Sequence, residues 1–136
     1  MRVVLDTNIL VSALISPSGH AAAIYDAWED GKFTLVSCAD HLEEIRATLQ
    51  KPRVARLVEP HTAGRLVNQI RRLAEQIEVL PRVRRSTDPG DDYLLALAQA
   101  GVAEYLVTGD KGDLLSLVRH KATTIITAAE FVRILG

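Results

Sequence analysis

The chain begins with a short apolar run that ends at a carboxylate. Residues 3–5 are wholly apolar, and Asp6 follows them directly. A continuous apolar run is typical of a strand buried on both faces in a parallel sheet, whereas half-solvated strands alternate apolar and polar residues. Open α/β sheets bind their ligands outside the carboxyl ends of such strands. We therefore predict that Asp6, Thr7 and Asn8 lie at a functional edge.

The bulk properties fit one soluble globular domain that covers residues 1–136. The length of 136 residues is that of a single domain, and 48% hydrophobic with 24% charged residues excludes a disordered or fibrous chain. Cys38 is the single cysteine, which excludes an intramolecular disulfide and a zinc finger. Because the sequence carries neither a signal-peptide pattern nor an apolar stretch of membrane-spanning length, we expect a cytoplasmic protein with no membrane contact.

Hydrophobic periodicity predicts strands that alternate with helices. The predicted strands are residues 3–5, 33–37, 77–80, 105–108 and 123–126. This alternation predicts an α/β fold, a three-layer α/β/α sandwich around a central parallel sheet of about five strands.

Acidic residues recur at the predicted strand ends. Asp6 and Asp110 each follow an apolar strand and precede a helix, so both should leave the same edge of a parallel sheet. Asp91 begins the helix that precedes the fourth strand, and the residues three, four and seven positions later are apolar. This spacing predicts that Asp91 faces the sheet and Asp92 faces solvent.

A further acid lies on the helix after the second strand. Asp40 is predicted to be its N-cap, with Glu43 completing a capping box. Glu43 and Glu44 both adjoin the apolar stripe of this helix, so spacing alone does not separate them.

Carboxylates gathered on one edge repel one another, and a divalent cation removes that repulsion. Mg²⁺ and Mn²⁺ prefer hard oxygen ligands, and such ions support phosphodiester hydrolysis by activating water and offsetting charge on the leaving oxygen. The four histidines show no metal-ligand spacing.

Helix capping is the structural alternative for each acid taken alone. Asp6, Asp88 and Asp110 all occupy sites where an N-cap is expected, and Pro89 after Asp88 strengthens that helix start. Caps do not, however, require acids after two separate central strands. The joint pattern therefore favours a site.

Four segments in fixed order resemble the PIN-domain nucleases, and their ordered set is more specific than any one of them. They are residues 4–10 (VLDTNIL), 44–49 (EIRATL) with the following KPR, 88–98 (DPGDDYLLALA) and 106–115 (LVTGDKGDLL). The resemblance is closest to the toxin branch of the family, similar to the VapC-like ribonuclease toxins of toxin–antitoxin pairs.

This resemblance implies a Mg²⁺- or Mn²⁺-dependent endoribonuclease that cleaves single-stranded RNA, with an antitoxin protein as partner. It also implies a homodimer or higher homo-oligomer. In the family the region after the first strand often binds the antitoxin and helps to form dimers, and here its apolar helices either do so or fill the core. The implied catalytic and metal-binding residues are Asp6, Glu44, Asp91 and Asp110, with Asp113 and Asp92 as further candidate ligands. The implied orienting residues are Thr7, Asn8 and Thr108.

Basic residues are candidate phosphate contacts, although a solvated surface explains them equally well at a net charge of -1. The candidates are Arg46, Arg53, Arg82, Arg84 and Arg85. Aromatic residues make up only 4%, which gives little support for a base-stacking platform, and Tyr25 and Trp28 are predicted to lie in the core.

Three alternatives compete with a nuclease. A phosphatase of the haloacid dehalogenase type requires an acid two residues after the first Asp, where this chain has Asn8. A receiver-like domain requires a Lys after its last central strand, where Thr127 and Ala128 follow Ile126. A non-catalytic RNA- or protein-binding module with the same fold is the third alternative, and the presence of all four acids argues against it.

Overall fold

A single sheet forms the centre of the molecule. The computed structural model describes residues 1–109 and 112–136, so the predicted site residue Asp110 lies outside the described residues. Within these ranges the sheet has six strands in the order β3-β2-β1-β4-β6-β5. The strands are β1 (Arg2–Leu5), β2 (Thr34–Ser37), β3 (Glu75–Gln76), β4 (Tyr105–Thr108), β5 (Arg119–His120) and β6 (Thr123–Thr127). All neighbours pair in parallel except β5, which runs antiparallel to β6.

Helices connect the strands. They are α1 (Thr7–Ile15), α2 (His20–Glu29), α3 (Ala39–Gln50), α4 (Pro52–Ala55), α5 (Pro60–Leu73), a 3-10 helix (Pro89–Asp91), α6 (Asp92–Ala100), α7 (Gly112–Leu115) and α8 (Ala128–Leu135). In the described parts of the chain, no helix combines the length and the apolar character that crossing a membrane requires.

The helices cover both faces of the sheet. Successive residues of a strand point to opposite faces, so Val3 and Leu5 enter one core and Val4 enters another. The first core contains residues of α1, α2, α3, α5 and α8, including Trp28, and the second contains residues of α6 and α7. The predicted α/β/α sandwich is therefore confirmed, with six strands rather than about five.

Two parts of the strand prediction are wrong. The third strand is β3 (Glu75–Gln76), not residues 77–80: the amide of Ile77 still donates to the Ser37 carbonyl at 2.9 Å, and the chain then leaves the sheet. Beyond that point Ile77 and Leu80 pack against the second core as an extended connection. The other error is β5, a short polar strand with no apolar run to signal it.

The predicted N-cap at Asp40 is also wrong. The observed N-cap position is Cys38, two residues before Asp40, and helix α3 begins at Ala39. Cys38 is buried and makes no side-chain cap bond. A capping box instead begins α8, where the Thr127 hydroxyl accepts from the Glu130 amide at 3.2 Å. The Thr-x-x-Glu spacing of this capping box is visible in the sequence.

The chain changes layers between the two central strands. Strand β1 pairs with β4, with Leu5 beside Val107, and the Asp6 amide extends this pairing by donating to the Val107 carbonyl at 2.9 Å. After β1 the chain enters α1 in the first core, and α7, which follows β4 in the chain, packs in the second core. Adjacent strands whose following helices lie on opposite faces leave a crevice at their carboxyl ends, where α/β sheets bind ligands.

Candidate active site

Asp6 lies at this crevice, directly after β1. Its side chain is fully buried and accepts a hydrogen bond of 2.8 Å from the hydroxyl of Thr108, the last residue of β4. Asp6 occupies the N-cap position of α1, but its side chain makes no cap hydrogen bond. Helix capping therefore does not account for this buried carboxylate.

Glu44 presents a second carboxylate, from α3. Its Oε1 accepts hydrogen bonds from the Thr7 hydroxyl and from the Tyr93 hydroxyl, the latter at 2.6 Å. Glu43 is exposed, so the structure separates the two glutamates that spacing could not. Burial, followed by the hydrogen bond and the charge of Glu44, raises the pKa of Tyr93 well above its usual value. Tyr93 therefore remains a hydroxyl donor.

A group of three carboxylates forms the other half of the site. One oxygen each from Asp88, Asp91 and Asp113 lies within 4.8 Å of the other two. Asp91 is buried at the N-cap position of α6, where its side chain makes no cap bond, whereas Asp88 accepts from the Gly90 amide at 3.0 Å. Capping thus explains Asp88 in part and does not explain Asp91.

Ser86 connects two members of this acidic group. Its hydroxyl donates to Asp113 Oδ2 at 2.8 Å and accepts from the backbone amide of Asp88 at 3.1 Å. The neighbouring Asp92 is half-buried, and its Oδ1 accepts from the amides of Arg85 and Ser86 at 3.1 and 2.8 Å. Asp92 therefore anchors the connection before α6, while Asp91 is the more buried of the tandem pair, as helical spacing predicted.

The two halves of the site are joined through α6. Tyr93 follows Asp91 by two residues in the chain and contacts Glu44 on α3. His41 lies nearby, fully buried, with its Nδ1 at 3.0 Å from the Ser37 hydroxyl. Burial lowers the pKa of His41, and the charges of Glu44 and Asp6 oppose that shift without reversing it. The imidazole is therefore neutral and adds no positive charge to the acidic site.

The donor set suits a hard divalent cation. The grouped side chains present carboxylate oxygens, and the described part of the group includes neither sulfur nor imidazole. Mg²⁺ and Mn²⁺ bind such oxygens and retain waters besides. The residues present therefore fit the kind of ion that the sequence pattern predicts.

The arginines predicted to contact phosphate do not share one surface. Arg82 and Arg84 are exposed and line a groove beside the 3-10 helix. Arg85 donates to the carbonyl of Arg119 at 2.8 Å and lies 3.0 Å from His120 Nδ1, so its guanidinium holds β5 in place. Arg53 lines a groove with Asn8 and Lys51, and Arg46, half-buried on α3, lines a different groove beside α5.

Comparison with known families identifies the fold. The sequence model described as the PIN domain matches residues 2–112, a range that includes Asp6, Glu44, Asp88 and Asp91 and ends one residue before Asp113. The chain belongs to the PIN-domain family. PIN domains are generally nucleases that use a divalent metal, and the acidic group of this PIN domain is of the kind such an ion requires. Comparisons with curated proteins and with solved structures gave no match.

Sequence reasoning missed Asp88 and Tyr93, and also Ser86, whose hydroxyl donates to Asp113. Asp88 was predicted only as a helix cap, although its spacing of three from Asp91 places two acids on one helical turn. Tyr93 was not singled out at all. Its role depends on contact between α3 and α6, which sequence spacing does not reveal.

Proposed function

We propose that this PIN domain is a Mg²⁺- or Mn²⁺-dependent endoribonuclease that hydrolyses phosphodiester bonds in single-stranded RNA. The observation that supports it most is the group of three carboxylates from Asp88, Asp91 and Asp113. Asp91 in this group and Asp6 after β1 are both buried without acting as caps. A cation-binding role explains why acids occupy these positions.

Asp88, Asp91 and Asp113, whose oxygens lie close together, would hold the cation. Asp6 and Glu44 would complete its ligands. Asp110 joins this set by its place in the sequence, directly beyond β4 and Gly109. When bound, such a cation offsets negative charge on the phosphate and activates water as the nucleophile.

The surrounding hydroxyl groups would keep the acids in place. Thr108 donates to Asp6, and Ser86 donates to Asp113. Partners of this kind fix the orientation of a ligand side chain and reduce the freedom lost when an ion binds. The site is thus pre-formed on strand ends and helix starts.

Basic side chains near the crevice would contact the RNA backbone. Arg82 and Arg84 line the groove beside the 3-10 helix, and Lys51 and Arg53 line the groove beside α1. Phosphate contacts from Lys and Arg supply sequence-independent affinity for nucleic acid. The choice of RNA, the role as the toxin of a toxin–antitoxin pair in the cytoplasm, and association with an antitoxin or a second copy of the chain follow from the resemblance to VapC-like toxins.

Cleavage of a single-stranded RNA by wild type and by Asp6→Asn and Asp91→Asn tests the proposal. We expect cleavage with Mg²⁺ or Mn²⁺, none in EDTA, and a loss of at least about 100-fold in either variant, because each would remove a charged ligand. Asp26→Asn on the exposed side of α2 is the matched control and should cleave as wild type.

Circular dichroism and thermal unfolding establish that the variants remain folded. Cleavage that persists in EDTA or in both site variants would refute the proposal. Folded wild-type protein that binds RNA without cutting it would instead identify a non-catalytic binding module.

A further inference from the structure

Two hydroxyl groups converge on a single oxygen of Glu44. The Tyr93 hydroxyl donates to Oε1 at 2.6 Å, and the Thr7 hydroxyl donates to the same atom. Among the described residues, no hydrogen bond ends on Oε2 of this carboxylate. The two oxygens of Glu44 therefore have different surroundings before any ion binds.

The two donors come from different helices that begin at the site. Thr7 is the first residue of α1 and follows Asp6, while Tyr93 lies in the first turn of α6 and follows Asp91 by two positions. Glu44 on α3 is thus connected to the segments that carry both buried aspartates.

We propose that Tyr93 is a positioning residue that, together with Thr7, holds Glu44 by Oε1 and leaves Oε2 as the oxygen that binds the cation. This inference rests on the proposed metal-dependent function. An oxygen that accepts two hydrogen bonds has its lone pairs engaged, so the carboxylate binds an ion through its other oxygen. Glu44 would then act as a one-oxygen ligand.

The tyrosine ring suits this role because its hydroxyl is held at the end of a rigid group. The ring packs beside the buried imidazole of His41, with their centroids 6.3 Å apart. A tyrosine side chain has only two rotatable torsions before its ring is fixed, so packing of the ring also fixes the hydroxyl. A flexible donor would constrain Glu44 less.

Tyr93→Phe removes the hydroxyl and keeps the ring. Loss of such a supporting partner weakens metal binding by about 10-fold or more, and we expect this loss in Mn²⁺ affinity measured by calorimetry. The kcat for RNA cleavage should fall at limiting Mn²⁺ and recover at saturating Mn²⁺, with KM for RNA unchanged. That pattern separates placement of a metal ligand from a general loss of stability.

Tyr25→Phe is the matched control. The Tyr25 hydroxyl also donates to a side-chain oxygen, that of Gln69, but on α2 and α5 away from the acids. The control variant should bind Mn²⁺ as wild type does. Thr7→Val and Thr7→Ser provide a second pair, because only serine retains a hydroxyl, and Thr7→Val should weaken Mn²⁺ binding whereas Thr7→Ser restores it.

The outcomes distinguish the two proposals. If the wild-type protein cleaves RNA and Tyr93→Phe binds Mn²⁺ as tightly as the wild type does, the positioning role is overturned and the proposed nuclease function stands. Equal losses in Tyr93→Phe and Tyr25→Phe also overturn it, because a stability effect then suffices. If Tyr93→Phe does not fold, equal affinities of Thr7→Val and Thr7→Ser overturn it. Wild-type protein that binds no Mn²⁺ removes both proposals.

Discussion

Thr108 donates its hydroxyl to the carboxylate of Asp6 at 2.8 Å, although 102 positions separate the two residues in the chain. They stand at the carboxyl ends of neighbouring parallel strands, where the β1–β4 register brings them together. Asp6 is thus oriented by an adjacent strand and not by the helix that it precedes. The placement of this acid depends on the pairing at the centre of the sheet.

Thr108→Val should destabilise the fold and reduce cleavage together. The change leaves a buried carboxylate with one fewer donor, which costs about 1–3 kcal/mol in the free energy of unfolding, and it frees Asp6 to reorient. Urea unfolding measures the first effect and RNA cleavage the second. Thr123→Val is the control, because the buried Thr123 hydroxyl donates to the Ala103 carbonyl at 2.7 Å. Thr123→Val should lose comparable stability and retain cleavage. Equal cleavage by Thr108→Val and Thr123→Val would show that Thr108 does not orient Asp6 for catalysis.

Asp88→Ser should separate capping from metal binding. Serine retains an oxygen that can cap the 3-10 helix but removes the carboxylate, so stability should remain within about 0.5 kcal/mol of wild type. Mn²⁺ affinity should fall at least about 10-fold, as measured by calorimetry. Asp88→Ala should lose a further amount of about 1 kcal/mol in stability because the cap is also gone. Unchanged affinity in Asp88→Ser would assign Asp88 to capping alone.

Arg82→Ala and Arg84→Ala should each weaken RNA binding in a salt-dependent way. A contact to a single-stranded phosphate contributes about 0.7 to the slope of log affinity against log salt. Fluorescence anisotropy in EDTA, which prevents cleavage, should therefore show that slope reduced by about 0.7 in each variant. Arg133→Ala on exposed α8 is the control and should keep the wild-type slope. Equal slopes of log affinity against log salt in all variants and the wild type would show that Arg82 and Arg84 do not contact the RNA.

The stability of the domain should decrease as the pH falls below about 6.5, the ordinary pKa of histidine. Burial, with Arg85 and Lys121 adding to it, lowers the pKa of His120 in the folded chain. As the pH falls, His120 therefore takes up a proton in the unfolded chain at a higher pH than in the folded chain. The stabilisation that is present above about pH 6.5 is lost as the pH falls through the pKa of His120 in the folded chain.

One such histidine changes the free energy of unfolding by at most about 1.4 kcal/mol per pH unit. Urea unfolding between about pH 7 and about pH 5 should show a shallower dependence for His120→Gln than for wild type. Equal slopes for His120→Gln and wild type would assign the acid sensitivity to other groups.

The sequence predicted the central parts of the fold because their signals are local. Strands β1 and β4 are short apolar runs, and burial on both faces requires that pattern. The edge strands carry no such signal: β3 is wholly exposed, and β5 is held by the contacts of Arg85 with Arg119 and His120. Their pairing depends on tertiary neighbours, which periodicity does not report.

The candidate site, like the fold, contains residues that local sequence spacing predicted and residues that it did not. The burial of Asp91 followed from helical spacing, because one helix determines it. The selection of Glu44 over Glu43 depended on donors from α1 and α6, and the grouping of Asp88 with Asp113 depended on how two helix starts meet. Residues whose roles arise between elements were therefore the ones that sequence reasoning missed or left open.

The two ends of the sheet restrict how copies of this domain associate. Each outermost strand is only two residues long, and charged side chains, Glu75 at one end and Arg119 at the other, stand on them. A neighbouring molecule that joined by strand addition would find too few free backbone groups to form a continuous ladder, and it would have to bury those charges. The two edge strands therefore disfavour the addition of a strand from another copy of the chain.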